Sequence, residues 1–532
     1  MKRLFETHPL LFVFGVTLLC LMPVLVLRDF TPANELRYLS IADEAISQGH
    51  WFAFSNHGVP YADKPPLYFW ILMGSRLLLG TYSHFFLSLL SLLTALGIAL
   101  VMDRWAFREM SPLTRAAAAM MLLTTGLFLG MAVYVRMDLL MTLFILLAID
   151  SYWEGKSSLF GLFTFLALFT KGPVGLLLPP LTVLVYLVST GHWRSLGKAF
   201  GWQFWFFLAF LSLLWLGCAY YEGGPEYLYN LTVHQTVDRA VHTFSHQQPF
   251  WYYLLVIWAV AAPWCLLTVP SLGMSFAKGG DTKTRHHHSA RSRRERLFLS
   301  AVLTGLVVLS LSRSKLAIYL LPLLPFLVGV FVLVEQRRGW EKWMRVALGV
   351  ATALIALIGL AAIVGYAVFD RLPFPAEYAF ARTPLLIPAG LILLAGAAFS
   401  FLSLKGGWQR PVLTLGLSVL LCVPVLSPLT PRVNEVIGYE ALTQTVRSRG
   451  GFEEVYTLGL SRPENMDVYL HRTVTAVDPD AFLKDPSLIP DGTTVILSEK
   501  ADAAVSGRYS GILKASGRTR SESPAGLYGV WR

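Results

Sequence analysis

Six cations of this chain, Lys64, Arg136, Lys171, Arg239, Arg313 and Lys315, come from six separate places, yet each stands beside an apolar run. Carboxylates accompany them: Glu35 and Asp63 within NELRYLSIADEAISQGHWFAFSNHGVPYADKPPLYFW (34–70), and Asp138 in VYVRMDLLM. Arginine grips a phosphate with a planar fork, and lysine with a compact point charge. The set therefore suits a phosphate or pyrophosphate held at a bilayer surface. If that phosphate is a leaving group, the cations facing it stabilise developing charge. A nearby carboxylate would then act as general base on an incoming hydroxyl, or orient it.

Each cation has a plainer reading. The charges of 34–70 could be those of a solvated loop, but Trp51, Phe52, Phe54, Tyr61, Tyr68 and Trp70 are interleaved with them. An aromatic belt at the interface would supply only some of these rings. Arg136 and Asp138 could pair merely to pin a tight turn, although ionisable residues at membrane edges are functional candidates by default. Lys171, in LFTKGPVGLLLPP, could snorkel to the headgroups. Lys315 and Tyr319, in LSRSKLAIYLLPLLP, are four apart and would share a helix face. His234, Arg239, His242 and His246 fall in one segment just before another apolar run.

The elements that must position these groups are helices in a membrane. Of 532 residues, 55% are hydrophobic and 14% charged, where a soluble protein carries about 25% charged residues. Apolar runs at 9–27, 83–102, 113–135, 172–190, 251–270, 345–368, 384–403 and 411–429 approach the ~20 residues needed to cross a bilayer. With shorter runs at 138–153, 158–170, 200–221, 297–313 and 316–334, the chain threads about thirteen spans. The first is an uncleaved helix with its N-terminus in the cytoplasm, and 67–80 lies along the interface. Arg104, Arg108 and Arg115, then Arg194 and Lys198, then the basic loop 278–296, then Arg337, Arg338, Lys342 and Arg345 all fall on one side. Excess Lys and Arg in short loops mark the cytoplasmic face. The net charge of +11 is thus mostly topology, and nucleic acid is not the expected partner. The opposite side receives the large loop 28–80, the six cations and everything after 430. The reading is a polytopic α-helical membrane protein, residues 1–430, with a small extracytoplasmic α/β domain at 431–532. In that tail EVYTLGL, MDVYLHRTVTAV, TTVILSE and AGLYGVWR read as strands, and 435–449 as a helix.

Four cysteines, Cys20, Cys218, Cys265 and Cys422, lie in apolar stretches without metal or disulfide spacing. His286, His287 and His288 sit in the basic cytoplasmic loop and read as solvated.

Taken together, NELRY, DKPPLYFW, RMD, TKGPVG, HQQPFWYY and SKLAIYLLPLLP resemble the bacterial protein O-mannosyltransferase-like group of GT-C superfamily glycosyltransferases. Within that group the chain looks most like the lipid A 4-amino-4-deoxy-L-arabinose transferases, over residues 1–430. The resemblance implies a GT-C fold in a bacterial inner membrane, with the active site facing the periplasm. It implies a polyprenyl (undecaprenyl) phosphate-linked sugar donor, an acceptor that is lipid A, another surface glycan or a protein, and a single inverting displacement. Glu35, Arg37 and Tyr38 match the acidic motif of the first loop, and Asp138 the second acidic position. Lys64 matches the lysine that contacts donor phosphate, with Asp63 before it; Arg239, Lys315 and Tyr319 fall in phosphate-side regions. Asn34, Arg136, Lys171 and His234 would line the same site. The chemistry requires no cofactor; were a divalent metal bound, Asp63 and His246 would hold it. One departure stands out: the group usually has Asp where this chain has Asn34, and an amide cannot accept a proton at neutral pH. Either Glu35 or Asp138 is then the base, or the acceptor is already anionic and needs none, or the chemistry is altered or lost. The rival readings are a lipid-linked oligosaccharide ligase or polymerase and, in another class, a transporter.

Overall fold

In a computed structural model, the chain is described over residues 6–233, 248–277, 285–369 and 381–449, and over shorter stretches 454–460, 466–472, 474–490, 494–498, 512–514 and 526–530. Most of it is helix, because continuous apolar sequence in lipid must satisfy its own backbone hydrogen bonds. Among the described residues seven helices are long and apolar enough to cross a membrane, or eight if one bent pair counts as a span. Further apolar helices are shorter, among them Pro66–Leu79, Ser157–Lys171, Pro173–Ser189 and Cys265–Met274. Asp138–Trp153 is a 16-residue helix between the two ends of the bundle.

Two runs that read as single spans are broken. The stretch 113–135 forms Pro112–Leu123 and Gly126–Ala132, bent by 76°. The stretch 251–270 forms Tyr252–Val260 and Cys265–Met274. The two breaks satisfy each other: Gly126 N donates to Ala262 O at 2.8 Å, and Trp264 Nε1 to Thr124 Oγ1 at 3.1 Å. Hydrophobicity does not report such a break, because both halves remain apolar.

Ion pairs mark one end of the bundle. Arg115 takes both oxygens of Asp103, at 2.8 and 2.6 Å, Arg104 reaches Asp150, and Arg337 takes both oxygens of Glu295. The opposite end carries residues 28–80 as a folded roof. A π-helical turn, Pro32–Leu36, leads into Arg37–Gln48, which ends at Gly49 with φ +71°; a left-handed cap of this kind is most easily supplied by glycine. A short hairpin pairs Ser55–Asn56 with Val59–Pro60, and Pro66–Leu79 follows.

The roof shares an apolar core with the tail. Phe30, Leu36, Tyr38, Phe54, Phe69 and Met73 cluster with Tyr439, Val455, Met466, Val474 and Ile496. The tail's five-stranded sheet has the order Val474–Val477, Val455–Leu458, Thr494–Ser498, Gly526–Val530, Ile512–Lys514. The first three strands are parallel and the last two join antiparallel. Strand alternation sends Ile496 to the roof and its neighbour Val495 to a second cluster with Leu458, Phe482 and Ile489. One expectation fails here: Asp467–Leu470, read as part of a strand, is a helical turn.

Candidate active site

The roof and the bundle meet at the turn 133–138. Glu35 is fully buried, and its carboxylate is crowded with donors. Oε2 receives Thr31 N at 2.7 Å, Thr31 Oγ1 at 2.8 Å and the Arg28 guanidinium, while Oε1 receives Val135 N at 2.7 Å. Arg28 also donates to Val133 O at 2.6 Å and lies 4.3 Å from the Tyr134 ring centroid. Tyr134 in turn hydrogen-bonds the Thr31 hydroxyl. A general base must reach its proton, and here donors from Arg28, Thr31 and Val135 surround both oxygens. Glu35 instead ties residues 28–36 to the turn that presents Asp138.

Asp138, 1% exposed, begins the helix Asp138–Trp153. Its Oδ1 pairs with Lys171 Nζ, and its Oδ2 with Arg136 Nε at 3.2 Å. The Arg136–Asp138 pair is therefore more than a turn staple, since a third segment joins it. Lys171 Nζ also lies 4.9 Å from the Tyr319 ring centroid. Tyr38 feels the charges of Arg136, Arg37, Asp138 and Asp63, and Asp138 feels Lys64. Burial raises the Tyr38 phenol above its ordinary pKa, so it remains a neutral donor. Arg37 lies 5.9 Å from each of the Tyr38 and Tyr61 rings, with its Nε buried and unpaired. Lys64 Nζ donates to Asp63 O at 3.2 Å. Asn34 sits in the π-helical turn beside Glu35, half-buried.

The structure thus brings Arg37, Tyr38, Asp63 and Lys64 of the roof into one neighbourhood with Arg136, Asp138, Lys171 and Tyr319 of the bundle. Lys315 is placed differently from expectation. It precedes the 3-10 segment Ala317–Leu323 rather than sharing a helix face with Tyr319. Lys315 is 4% exposed, and its ammonium donates to Gln248 O at 3.1 Å and to Ser312 O, so two of its three donors close a loop. His234, Arg239 and His246 lie outside the described residues. Among the described residues no group of three His, Cys, Asp or Glu side chains could hold a metal ion.

The comparisons with known proteins bear on this geometry. No family model matches the chain. It is 27% identical over 374 residues, 66% of its length, to the undecaprenyl phosphate-alpha-4-amino-4-deoxy-L-arabinose arabinosyl transferase of Enterobacter sp. (strain 638), covering 65% of that protein. Against the enzyme of the same description from Shewanella sediminis it is 27% identical over 420 residues, 75% of this chain and 71% of that one. The crystal structure of ArnT from Cupriavidus metallidurans bound to undecaprenyl phosphate superposes with a TM-score of 0.78 at 18% identity, over 98% of both chains. The fold is the GT-C fold of ArnT. The resemblance read from the motifs holds: the curated relatives are aminoarabinosyl transferases, and the ArnT fold runs through bundle, roof and tail alike.

Sequence reasoning missed Arg28, Glu222 and Tyr227. Arg28 reads as an ordinary flank to the first span. Glu222 and Tyr227 read as the end of a helix, and no spacing links them to the roof.

Proposed function

We propose that this chain is a GT-C glycosyltransferase of the inner membrane that transfers 4-amino-4-deoxy-L-arabinose from undecaprenyl phosphate to lipid A on the periplasmic side. The observation that carries the reading is the ArnT fold over nearly the whole chain, with Arg136, Asp138 and Lys171 gathered beneath Tyr38 and beside Lys64. Lys64 and Arg37 would hold the donor phosphate, as cations whose charges act on the same Tyr38–Asp138 neighbourhood. As the anomeric C–O bond breaks, the phosphate takes the electron pair and the cations stabilise its charge. The incoming oxygen attacks from the opposite face, with inversion. A cavity of about 370 Å³ lined by Phe52, Leu213, Leu214, Cys218 and Tyr221, with Glu222 at its edge, has room for a stretch of prenyl chain.

The base left open by Asn34 has a consistent answer. Glu35 is enclosed and Asp138 is held between two cations. An acceptor that is already an anion, such as a phosphate monoester of lipid A, needs no proton removed. Asn34 then costs nothing, and Asp138 serves to order Arg136 and Lys171.

A transporter would need ionisable groups near the bilayer midplane on broken helices. Here the broken helices at 123–126 and 261–264 are apolar, and the Asp138 cluster stands at a helix start. Reconstitution of the purified protein with undecaprenyl phosphate-linked aminoarabinose and lipid A tests the proposal, with the product read by mass spectrometry. Addition of one aminopentose to lipid A is expected. Transfer only to a protein or another glycan would replace the acceptor, and no transfer to any of the three would sink the reading.

A further inference from the structure

The helix Trp202–Tyr229 does not simply end at the roof. Its last two turns hold the loop that delivers Lys64. The Glu222 carboxylate accepts three successive backbone amides: Trp51 N at 3.0 Å, Phe52 N at 2.6 Å and Ala53 N at 3.0 Å. Hydrogen bonds to an ionised acceptor are about twice as strong as neutral ones. Five residues on, the Tyr227 hydroxyl accepts from Phe54 N and donates to Tyr61 O, both at 3.2 Å. One helix end therefore fixes four consecutive amides on the way into the hairpin 55–60 and a carbonyl on the way out.

The local sequence is shaped for this grip. Gly224 has φ +73°, ψ −174°, a non-helical break inside the helix that a side chain would strain. It separates Glu222 from Tyr227 in orientation. A Cβ on Gly223 would lie 2.6 Å from the Tyr227 ring and 2.8 Å from the Ala53 side chain, so only glycine lets the loop approach this closely. Tyr227 is 4% exposed. Beyond the loop, Trp70 Nε1 donates to Trp51 O at 2.6 Å, and Phe52 packs edge-on to Trp70, which ties the far side of the Lys64 segment to the same strip. Lys64 follows Tyr61 by three residues, and Arg37 lies 5.9 Å from the Tyr61 ring.

We propose that Glu222 and Tyr227 are positioning residues: they form a clamp that sets the 51–64 loop, and through it Lys64, against the donor phosphate. The proposal rests on the reading of Lys64 as a phosphate ligand. It makes the outer end of this helix part of the donor site without a contact to the donor phosphate.

Binding of undecaprenyl phosphate to the purified full-length protein in detergent tests it, in wild type, Tyr227→Phe, Glu222→Gln, Lys64→Ala and the double variant Tyr227→Phe/Lys64→Ala. Tyr227→Phe keeps the ring and removes only the two hydroxyl contacts; it is expected to weaken binding about tenfold, and Glu222→Gln about threefold. The double variant should bind no more weakly than Lys64→Ala alone, because a clamp has nothing left to position. A merely structural contact would give losses that multiply. Unchanged binding in both clamp variants, or multiplying losses in the double variant, overturns the positioning role while leaving Lys64 in place. Unchanged binding in Lys64→Ala removes the phosphate ligand itself and the clamp's purpose with it. Should Tyr227→Phe fail to fold, Glu222→Gln alone and combined with Lys64→Ala makes the same comparison.

Discussion

Glu35 and Asp138 come from two acidic motifs that look equivalent as sequence, and they have opposite surroundings. Glu35 faces one guanidinium, two backbone amides and a hydroxyl, all within the seam between roof and bundle. Asp138 faces two cations, Arg136 from the turn just before it and Lys171 from the end of the helix Ser157–Lys171, with the charge of Lys64 also felt. Amide donors fix backbone, whereas cations are things a phosphate can compete for. The difference teaches that an acid in a first-loop motif can be architectural, while an acid that gathers cations is the better candidate for the edge of the proposed phosphate site.

The sharpest way to break this comparison is Asp138→Asn. It leaves Arg136 and Lys171 without their shared counter-charge, and transfer is expected to fall by about a hundredfold or more in protein that still elutes as a folded species. An assay of aminoarabinose transfer on folded material checks this; near-wild-type turnover would make Asp138 a structural residue. Glu35→Gln should behave the other way. Breaking a buried pair by changing one partner costs about 3–5 kcal/mol, so the thermal midpoint should drop clearly while the folded fraction keeps most of its turnover. Full stability with lost turnover in Glu35→Gln would reverse the two roles.

A smaller effect is expected at the joint between roof and tail. His57 Nε2 lies 2.8 Å from Asp467 Oδ2, and Glu44 holds the His57 and Gly58 amides at 2.6 and 2.9 Å. Asp467→Asn removes the charge of a part-buried pair and keeps an acceptor for the Val474 amide, a change worth about 1 kcal/mol. Protease sensitivity of the tail should rise only slightly, with turnover unchanged. A large loss of turnover would show that the tail takes part in the site.

What could be read from the sequence follows from how each signal arises. The first span is found because Pro9–Leu27 is apolar all round and closed by Arg28. The roof is found because aromatics and charges alternate in 34–70, and the cation set because each member interrupts an apolar run. The breaks near Leu123 and Ala262 are invisible because hydropathy averages across them. The four-residue spacing of Lys315 and Tyr319 predicts a shared helix face, yet Lys315 lies in the loop before Ala317, with its ammonium on two carbonyls. Glu35 and Asp138 could not be told apart, because what separates them is the donors at 28, 31 and 135 in one case and 136 and 171 in the other. The deciding contacts, Val135 to Glu35 and Lys171 to Asp138, join separate segments, and neither leaves a local spacing to read.

Asp29 extends the comparison to a carboxylate that has no cation partner among the described residues. It is 8% exposed; its Oδ1 accepts from Phe30 N at 2.6 Å and from the Tyr469 hydroxyl, while Oδ2 is buried without a partner. Asn434 completes the joint, accepting from Asp29 N at 3.2 Å and donating to Leu27 O at 2.8 Å. Burial pushes the Asp29 carboxyl up from 3.8 to about 7, with Glu440 and Glu35 adding to the rise against the Tyr469 and Phe30 hydrogen bonds. With the folded value above the unfolded one, the docked tail holds a proton that the undocked chain releases. Its stability is therefore greatest below about pH 4, declines as pH rises toward about 7, and is level beyond. The thermal midpoint of the wild type should fall relative to Asp29→Asn across that window and run parallel to it above. Parallel curves throughout would mean that the joint carries its charge at no cost, and the ordering of the three acids by their cations would fail at its simplest member.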